Sequence, residues 1–196
     1  MSSDRELQQQ HLQQLKGSAL SDEVIEARGY WTATRRTELA SLGFQDYQCR
    51  VPALVLPQWS LTGEQAGYLI RPDNPRVRDE KPIKYEAQAG VRPVLDVHPL
   101  ALEWIKDPAR PLIITEGIKK ADAAVSQGLP AIGLLGVYGW LGKNGHGGTD
   151  PLPDWEYVPL KGREVLLVFD SDVRTNDNVA KALGRLAAFL RARGAA

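Results

Sequence analysis

The sequence has very little cysteine and no long apolar run. A single cysteine among 196 residues, Cys49, excludes an internal disulfide and a cysteine-based zinc ribbon. No apolar stretch approaches the roughly 18–20 residues needed to span a bilayer, so we expect no membrane segment. The first sixteen residues are polar and rich in glutamine, without the apolar core of a signal peptide. These absences predict a protein of the reducing cytoplasm.

The chain also has no net charge. Its 24 Lys and Arg residues are balanced by 24 Asp and Glu residues, so a nucleic-acid partner would need a local basic patch rather than a global field. Hydrophobic residues make up 43% of the sequence, which is ordinary for a globular protein and excludes a wholly disordered chain. The length fits one large domain or two small ones.

The first part of the chain predicts short helices followed by a β-hairpin. Ser21 is a good N-cap before Asp22 and Glu23, and Gly29 is a plausible stop for that helix. Helix–turn–helix DNA readers also consist of short helices, but we favour a small helical cap on a neighbouring domain. Residues 53–57 and 65–71 then read as the two strands of a hairpin.

A basic, proline-rich segment follows the hairpin. It contains Arg71 and Lys84, with Tyr85 beside the lysine. Two interpretations remain open, a solvated loop or a contact with nucleic-acid or nucleotide phosphate. Tyr85 is the aromatic residue best placed by sequence to stack on a base.

The second part of the chain alternates between strands and helices. Continuous apolar strands alternating with helices predict a mostly parallel sheet covered on both faces. The segments concerned are strands 112–115, 131–135 and 165–169 and helices 117–127 and 176–193. We therefore predict an α/β fold, with a helical and β-hairpin subdomain at residues 1–105 and a second domain at residues 106–196.

Three carboxylates stand directly after two of these strands. Glu116 follows the first strand, and Asp170 and Asp172 follow the third. Ligands of open parallel sheets bind beyond the carboxyl ends of the strands, so these side chains are candidates for one site. Carboxylate oxygens suit Mg²⁺ or Mn²⁺. The alternative is that both aspartates only cap the loop into the last helix.

These motifs resemble a known domain. Ile114-Thr115-Glu116-Gly117, followed by Val168-Phe169-Asp170-Ser171-Asp172, is similar to the Toprim domain of DnaG-type primases, topoisomerases and some nucleases. The runs 114–123 and 134–140 resemble more closely an uncharacterised-domain family of plasmid, phage and integrated-element proteins. The N-terminal hairpin looks distantly like the basic half of a primase core.

The resemblance implies roles for individual residues. It makes Glu116 an acid–base or metal-binding residue and makes Asp170 and Asp172 metal ligands. Arg71 and Lys84 correspond to basic residues that line the groove for template or incoming nucleotide. Lys119 and Lys120 would face the same crevice near a positive helix N-terminus, although a solvated helix face is an equal alternative.

Two departures from the primase pattern stand out. Many primases have an aspartate where this sequence has Lys120, and the nearest acid, Asp122, stands two positions further on. A Toprim sheet should also have another strand after the last helix. We expect either a truncated chain or an incomplete sheet.

The sequence therefore predicts a metal-dependent, primase-like nucleotidyltransferase in the DNA replication of a mobile element. Its partners would be single-stranded DNA, nucleoside triphosphates and a replicative helicase. Two alternatives stay open. One is a Toprim nuclease that uses the same carboxylates, and the other is a non-catalytic nucleic-acid-binding module of a larger replication protein.

Overall fold

The computed structural model describes residues 5–170 and 176–196, which form six α-helices and twelve strands. The helices are α1 Gln9–Lys16, α2 Asp22–Arg28, α3 Arg36–Ser41, α4 Leu102–Lys106, α5 Ile118–Val125 and α6 Asp177–Ala192. The strands are β1 Trp31–Ala33, β2 Ala53–Trp59, β3 Gln65–Pro72, β4 Val77–Arg78, β5 Lys81–Pro82, β6 Glu86–Ala87, β7 Asp96–Val97, β8 Leu112–Glu116, β9 Ala131–Leu134, β10 Leu141–Lys143, β11 Thr149–Pro151 and β12 Val165–Val168. Over this part of the chain, none of the helices has the length and apolar character needed to cross a bilayer.

The predicted helix boundaries are close to those observed. The Ser21 hydroxyl accepts a hydrogen bond from the backbone N–H of Val24, and Gly29 closes α2, as the sequence predicts. The last helix is capped by Asn176, whose side chain accepts from the backbone N–H groups of Asn178 and Val179. Local side-chain chemistry therefore sets where these helices begin.

The N-terminal sheet is antiparallel, with the order β1-β2-β3-β6. The predicted hairpin is confirmed as β2 and β3, and both strands extend beyond the predicted bounds. Strands β1 and β6 were not predicted, because they are only three and two residues long. The segment after the hairpin also forms a small antiparallel pair, β4 and β5, rather than an entirely irregular loop.

The second sheet has the order β12-β8-β9-β7. Strands β12, β8 and β9 are parallel neighbours, which confirms the α/β class. Strand β7 pairs antiparallel with β9 through Asp96 and Val97, which precede the first parallel strand by more than a dozen residues. This edge strand therefore comes from the segment that the sequence assigns to the N-terminal subdomain. The glycine-rich stretch 141–155 contains the short hairpin of β10 and β11.

One hydrophobic core joins the two sheets. It includes Leu54 and Leu56 from β2, Ile114 from β8 and Ile132 from β9, all of which are buried. Helix α6 contributes its buried face to the same core. Burial of these aliphatic side chains stabilises the packed arrangement.

The prediction that both faces of the parallel sheet are covered is wrong at β12. Leu166 and Val168 are 44% and 51% exposed there. Their neighbours on the opposite face of β12, Val165 and Leu167, are partly buried against the core. Successive side chains of a strand point to opposite faces, so this alternation means that only one face of the edge strand β12 is covered.

Candidate active site

Two of the three predicted carboxylates lie at the same edge of the parallel sheet. Glu116 is the last residue of β8, and Asp170 stands two residues beyond Val168, which pairs with Thr115. Parallel pairing therefore brings the carboxyl ends of β8 and β12 side by side, as the sequence predicts. Glu116 is partly buried and Asp170 is exposed. Asp172 lies outside the described residues.

Lys120 reaches this edge from the first turn of α5. The helix follows Gly117, whose backbone N–H donates to the carbonyl of Leu134 at 2.8 Å. The Nζ atom of Lys120 lies 2.6 Å from Oδ2 of Asp170. The residue that departs from the primase pattern thus forms an ion pair with one of the predicted metal ligands.

Lys119 points to a different set of residues. Its Nζ donates to Oγ of Ser18 at 3.1 Å. Partial burial lowers the pKa of Lys119, and the nearby charge of Arg71 lowers it further. Lys119 on α5 is therefore near enough to Arg71 on β3 for the two positive charges to repel each other.

Arg71 also contacts the predicted stacking residue. Its guanidinium carbon lies 5.7 Å from the centroid of the Tyr85 ring, within cation–π range. Burial raises the pKa of the Tyr85 phenol, and the charge of Arg71 opposes that shift. Arg71, Tyr85 and Lys119 therefore form a group, named here the basic cluster. Lys84 is exposed, and no hydrogen bond among the described residues brings its side chain into this cluster.

A buried ionic group that the sequence did not predict fixes the other side of α5. The Arg28 guanidinium donates from Nη1 to both oxygens of Asp96, at 2.8 and 2.9 Å. It also donates to both oxygens of Asp122, through Nε at 3.0 Å and through Nη2. The Tyr30 hydroxyl donates to Oδ2 of Asp122 at 2.6 Å. These four residues are named here the Arg28 cluster.

Electrostatics keep the Arg28 cluster intact. Burial lowers the pKa of Arg28, but Asp122 and Asp96 raise it by more, so the guanidinium stays charged. Burial raises the pKa of Asp96 to about 6 despite the opposing charge of Arg28. Burial also raises the pKa of Tyr30 well above its usual value. With its oxygens engaged by Arg28 and Tyr30, Asp122 serves as an anchor for α5.

One feature of the sequence does signal this anchor. Asp122 shares a helix face with Ile118, Ala121 and Val125, at the i, i+3, i+4 and i+7 spacing of a buried stripe. A carboxylate on such a stripe requires a cationic or hydrogen-bonding partner in the interior. The sequence thus reveals the need for a partner but not its identity as Arg28.

The donors at the carboxyl edge have the right chemistry for a magnesium or manganese ion. Glu116 and Asp170 supply hard oxygen ligands, which these cations prefer. Within residues 5–170 and 176–196, no three His, Cys, Asp or Glu side chains come together as a metal-binding group. Glu116 and Asp170 are therefore a partial donor set, and Lys120 provides positive charge beside it.

The fold is that of primase catalytic domains. Over 96% of its length, the chain superposes on 48% of an Aquifex aeolicus primase chain that contains zinc-binding and RNA polymerase domains, with a TM-score of 0.62 and 17% identity. Over 89% of its length, it superposes on 60% of a DnaG primase catalytic domain bound to single-stranded DNA, with a TM-score of 0.55 and 16% identity. The chain thus has a primase-like fold and spans only 48% and 60% of the two solved chains.

Sequence comparisons point to proteins without assigned functions. Residues 102–196 match the pattern of a family described as Domain of unknown function (DUF3854). An uncharacterized protein of Picosynechococcus sp. is 33% identical over 134 residues. That match covers 51% of this chain and only 13% of the relative, so the relative is a much longer protein.

Proposed function

We propose that this chain is a catalytic part of a primase-like Toprim nucleotidyltransferase, which joins nucleotides on a single-stranded DNA template. The observation that supports the proposal is the pairing of β8 with β12 in a primase-like fold, which puts Glu116 and Asp170 at the carboxyl ends of adjacent parallel strands. The basic cluster supports it, because Lys119, in the first turn of α5, is three residues after Glu116 in the chain. Replication of a mobile element, together with a helicase, is the setting that fits the sequence motifs.

The roles of the residues follow from their chemistry. Arg71 and Lys119 would hold phosphate groups of template or nucleoside triphosphate, because both are cations and each feels the charge of the other. Tyr85 would stack on a base, since 39% of its surface is exposed. Lys84 would add a phosphate contact from the exposed segment. Glu116 would accept or hold a proton near the reacting hydroxyl.

A divalent cation would be held by Glu116 and Asp170, with Asp172 added by sequence. Mg²⁺ or Mn²⁺ in that position would supply stabilisation of the charge that develops on a transferring phosphoryl group. Lys120 would provide a fixed positive charge next to the same oxygens.

The test is a primer-synthesis assay with a labelled single-stranded DNA, all nucleotides, and Mg²⁺ or Mn²⁺. We expect new or lengthened strands, and we expect Asp170→Asn to reduce them by roughly a hundredfold or more, the scale seen when one group that stabilises transition-state charge is removed. Asp46→Asn is the matched control, because Asp46 also forms an exposed ion pair but lies in the N-terminal subdomain. Equal activity of both variants would refute the assignment of Asp170.

Two other outcomes would change the reaction class. Shortened strands that disappear in Asp170→Asn would identify a nuclease. Labelled DNA that stays unchanged with the wild type and with both variants would favour a non-catalytic binding module. The Lys120–Asp170 ion pair supports that candidate, because the lysine already neutralises the carboxylate. Such a module would bind single-stranded DNA with strong salt dependence and would show no metal-dependent turnover.

A further inference from the structure

The segment Leu134–Trp140, which carries part of the sequence resemblance, forms a tight turn after β9. Gly136 has a φ of +77°, a conformation that side chains disfavour. A Cβ on Gly139 would lie 2.5 Å from the backbone nitrogen of Leu135, so only glycine fits there. The turn leaves Tyr138 on the surface, with 46% of the residue exposed.

Aromatic packing fixes this turn against α6. Trp140 is buried, and its ring centroid lies 5.2 Å from that of Phe189 on α6. Trp155 packs on the same phenylalanine at 5.4 Å, in an edge-to-face arrangement. Trp140, two residues after Tyr138, therefore fixes the end of the turn against α6, while the Tyr138 ring stays exposed.

Tyr138 and the outer face of α6 enclose a groove of about 440 Å³, named here the α6 groove. The other residues that line it are Lys181, Gly184, Arg185 and Ala188. Lys181 and Arg185 are one helical turn apart, and both are exposed. A Cβ on Gly184 would meet nothing within 4 Å, so the floor between the two cations is open. Among the described residues, those lining the groove include two cations and no acid.

The α6 groove starts at the same edge of the sheet as the carboxylates. The turn that presents Tyr138 follows the carboxyl end of β9, which is the strand next to β8. Helix α6 follows the carboxyl end of β12, and Lys181 lies near its start. A nucleic-acid strand lying across this edge could therefore contact both Tyr138 and Lys181.

We propose that the α6 groove binds a segment of single-stranded nucleic acid, with Tyr138 stacked on a base and Lys181 and Arg185 contacting phosphates. An exposed aromatic ring beside two cations matches a ligand that alternates flat bases with negative charges. The open floor at Gly184 allows the strand to approach the helix closely. This inference rests on the proposed function and extends it by naming where the strand continues beyond the carboxyl edge.

The test is fluorescence anisotropy of a labelled oligothymidylate with the full chain, over a range of salt concentrations. We expect Tyr138→Ala to weaken binding about tenfold, while Tyr138→Phe, which keeps a stacking ring, binds like wild type. The double variant Lys181→Ala/Arg185→Ala should reduce the slope of the logarithm of the binding constant against the logarithm of salt concentration by about 1.4 in magnitude. Each phosphate contact on a single strand contributes about 0.7. Arg191→Ala/Lys161→Ala is the matched control, since it also removes two exposed cations but lies outside the groove.

The outcomes separate this inference from the proposed function. Wild-type binding that both double variants weaken equally, or that Tyr138→Ala leaves unchanged, would overturn the groove while leaving the proposed function intact. Absence of any wild-type binding at low salt would overturn both.

Photocrosslinking with DNA that contains 5-iodo-2′-deoxyuridine gives an independent measure, and we expect the adduct on Tyr138. Competition of the oligonucleotide by nucleoside triphosphate, lost in Tyr138→Ala, would instead assign the groove to a free nucleotide.

Discussion

Helix α5 takes part in two ion pairs that differ in almost every physical respect. Asp122 pairs with Arg28 in the interior, where both side chains are fully buried. Lys120, two residues earlier, pairs with Asp170 at the sheet edge, where 44% and 64% of the two side chains are exposed. One short helix thus holds a fixed charge on its inner face and an accessible charge at its outer end.

The difference shows which charges belong to the fold and which are available to a ligand. In the interior, each charge depends on its partner, because water cannot replace it. At the surface, water screens the pair and either partner can exchange its contact for another ion at small cost. The Arg28 cluster therefore positions α5, and the Lys120–Asp170 pair is free to exchange its contacts.

The largest effect is expected from breaking the buried pair. Arg28→Met keeps the side-chain volume but leaves Asp96 and Asp122 buried without their cation. We expect a loss of about 3–5 kcal/mol in the free energy of unfolding, measured by urea denaturation. Arg36→Met is the control, because it breaks an exposed pair with Asp46 and should cost less than about 1 kcal/mol. Equal losses in the two variants would remove the distinction between the pairs.

A smaller effect is expected in the pH dependence of stability. Burial raises the pKa of Asp96 from 3.8 to about 6, so its protonated form is favoured in the folded state. This contribution to stability is full below pH 3.8 and is lost as the pH rises through 6. We expect Asp96→Asn to remove up to about 3 kcal/mol of the stability difference between about pH 4 and pH 7, because one pKa unit corresponds to about 1.4 kcal/mol. Urea midpoints across that range provide the measurement, and an unchanged profile would contradict the titration of Asp96.

The smallest effect is expected from breaking the exposed pair. Lys120→Gln removes the cation beside Asp170 but leaves both residues in water. The free energy of unfolding should change by no more than about 1 kcal/mol, since exposed pairs contribute little. The same urea denaturation measures it. A loss comparable to that of Arg28→Met would mean that the carboxyl edge is structural rather than a site.

The elements that sequence reasoning predicted well are those set by local signals. The hairpin of β2 and β3, the strands β8, β9 and β12, and the helices α2 and α6 follow from apolar runs, caps and helical spacing. Glu116 ends β8 and Asp170 stands two residues after β12, so their place at one edge could be predicted from the strand positions as well. That prediction requires only the positions of the strand ends and parallel pairing of the strands, which the alternation of strand and helix implies.

What sequence reasoning missed depends on contacts between distant residues. Strands of two or three residues, such as β1 and β7, have no periodicity of their own and exist because a longer neighbour pairs with them. Arg28 lies 94 residues from Asp122, and nothing in its surroundings marks it as a buried cation. The basic cluster is similar, since Arg71 and Lys119 are 48 residues apart in the chain and influence each other only in the folded protein.

The placement of β7 also constrains how this protein can be divided or exchanged. A gene fragment that began just before the parallel strands would leave behind Arg28, Tyr30 and Asp96, three of the four members of the Arg28 cluster. The transplanted part would carry Asp122 as a lone charge on a newly opened surface, next to a sheet without its edge strand. A transplant that keeps these contacts must therefore include both halves of the chain.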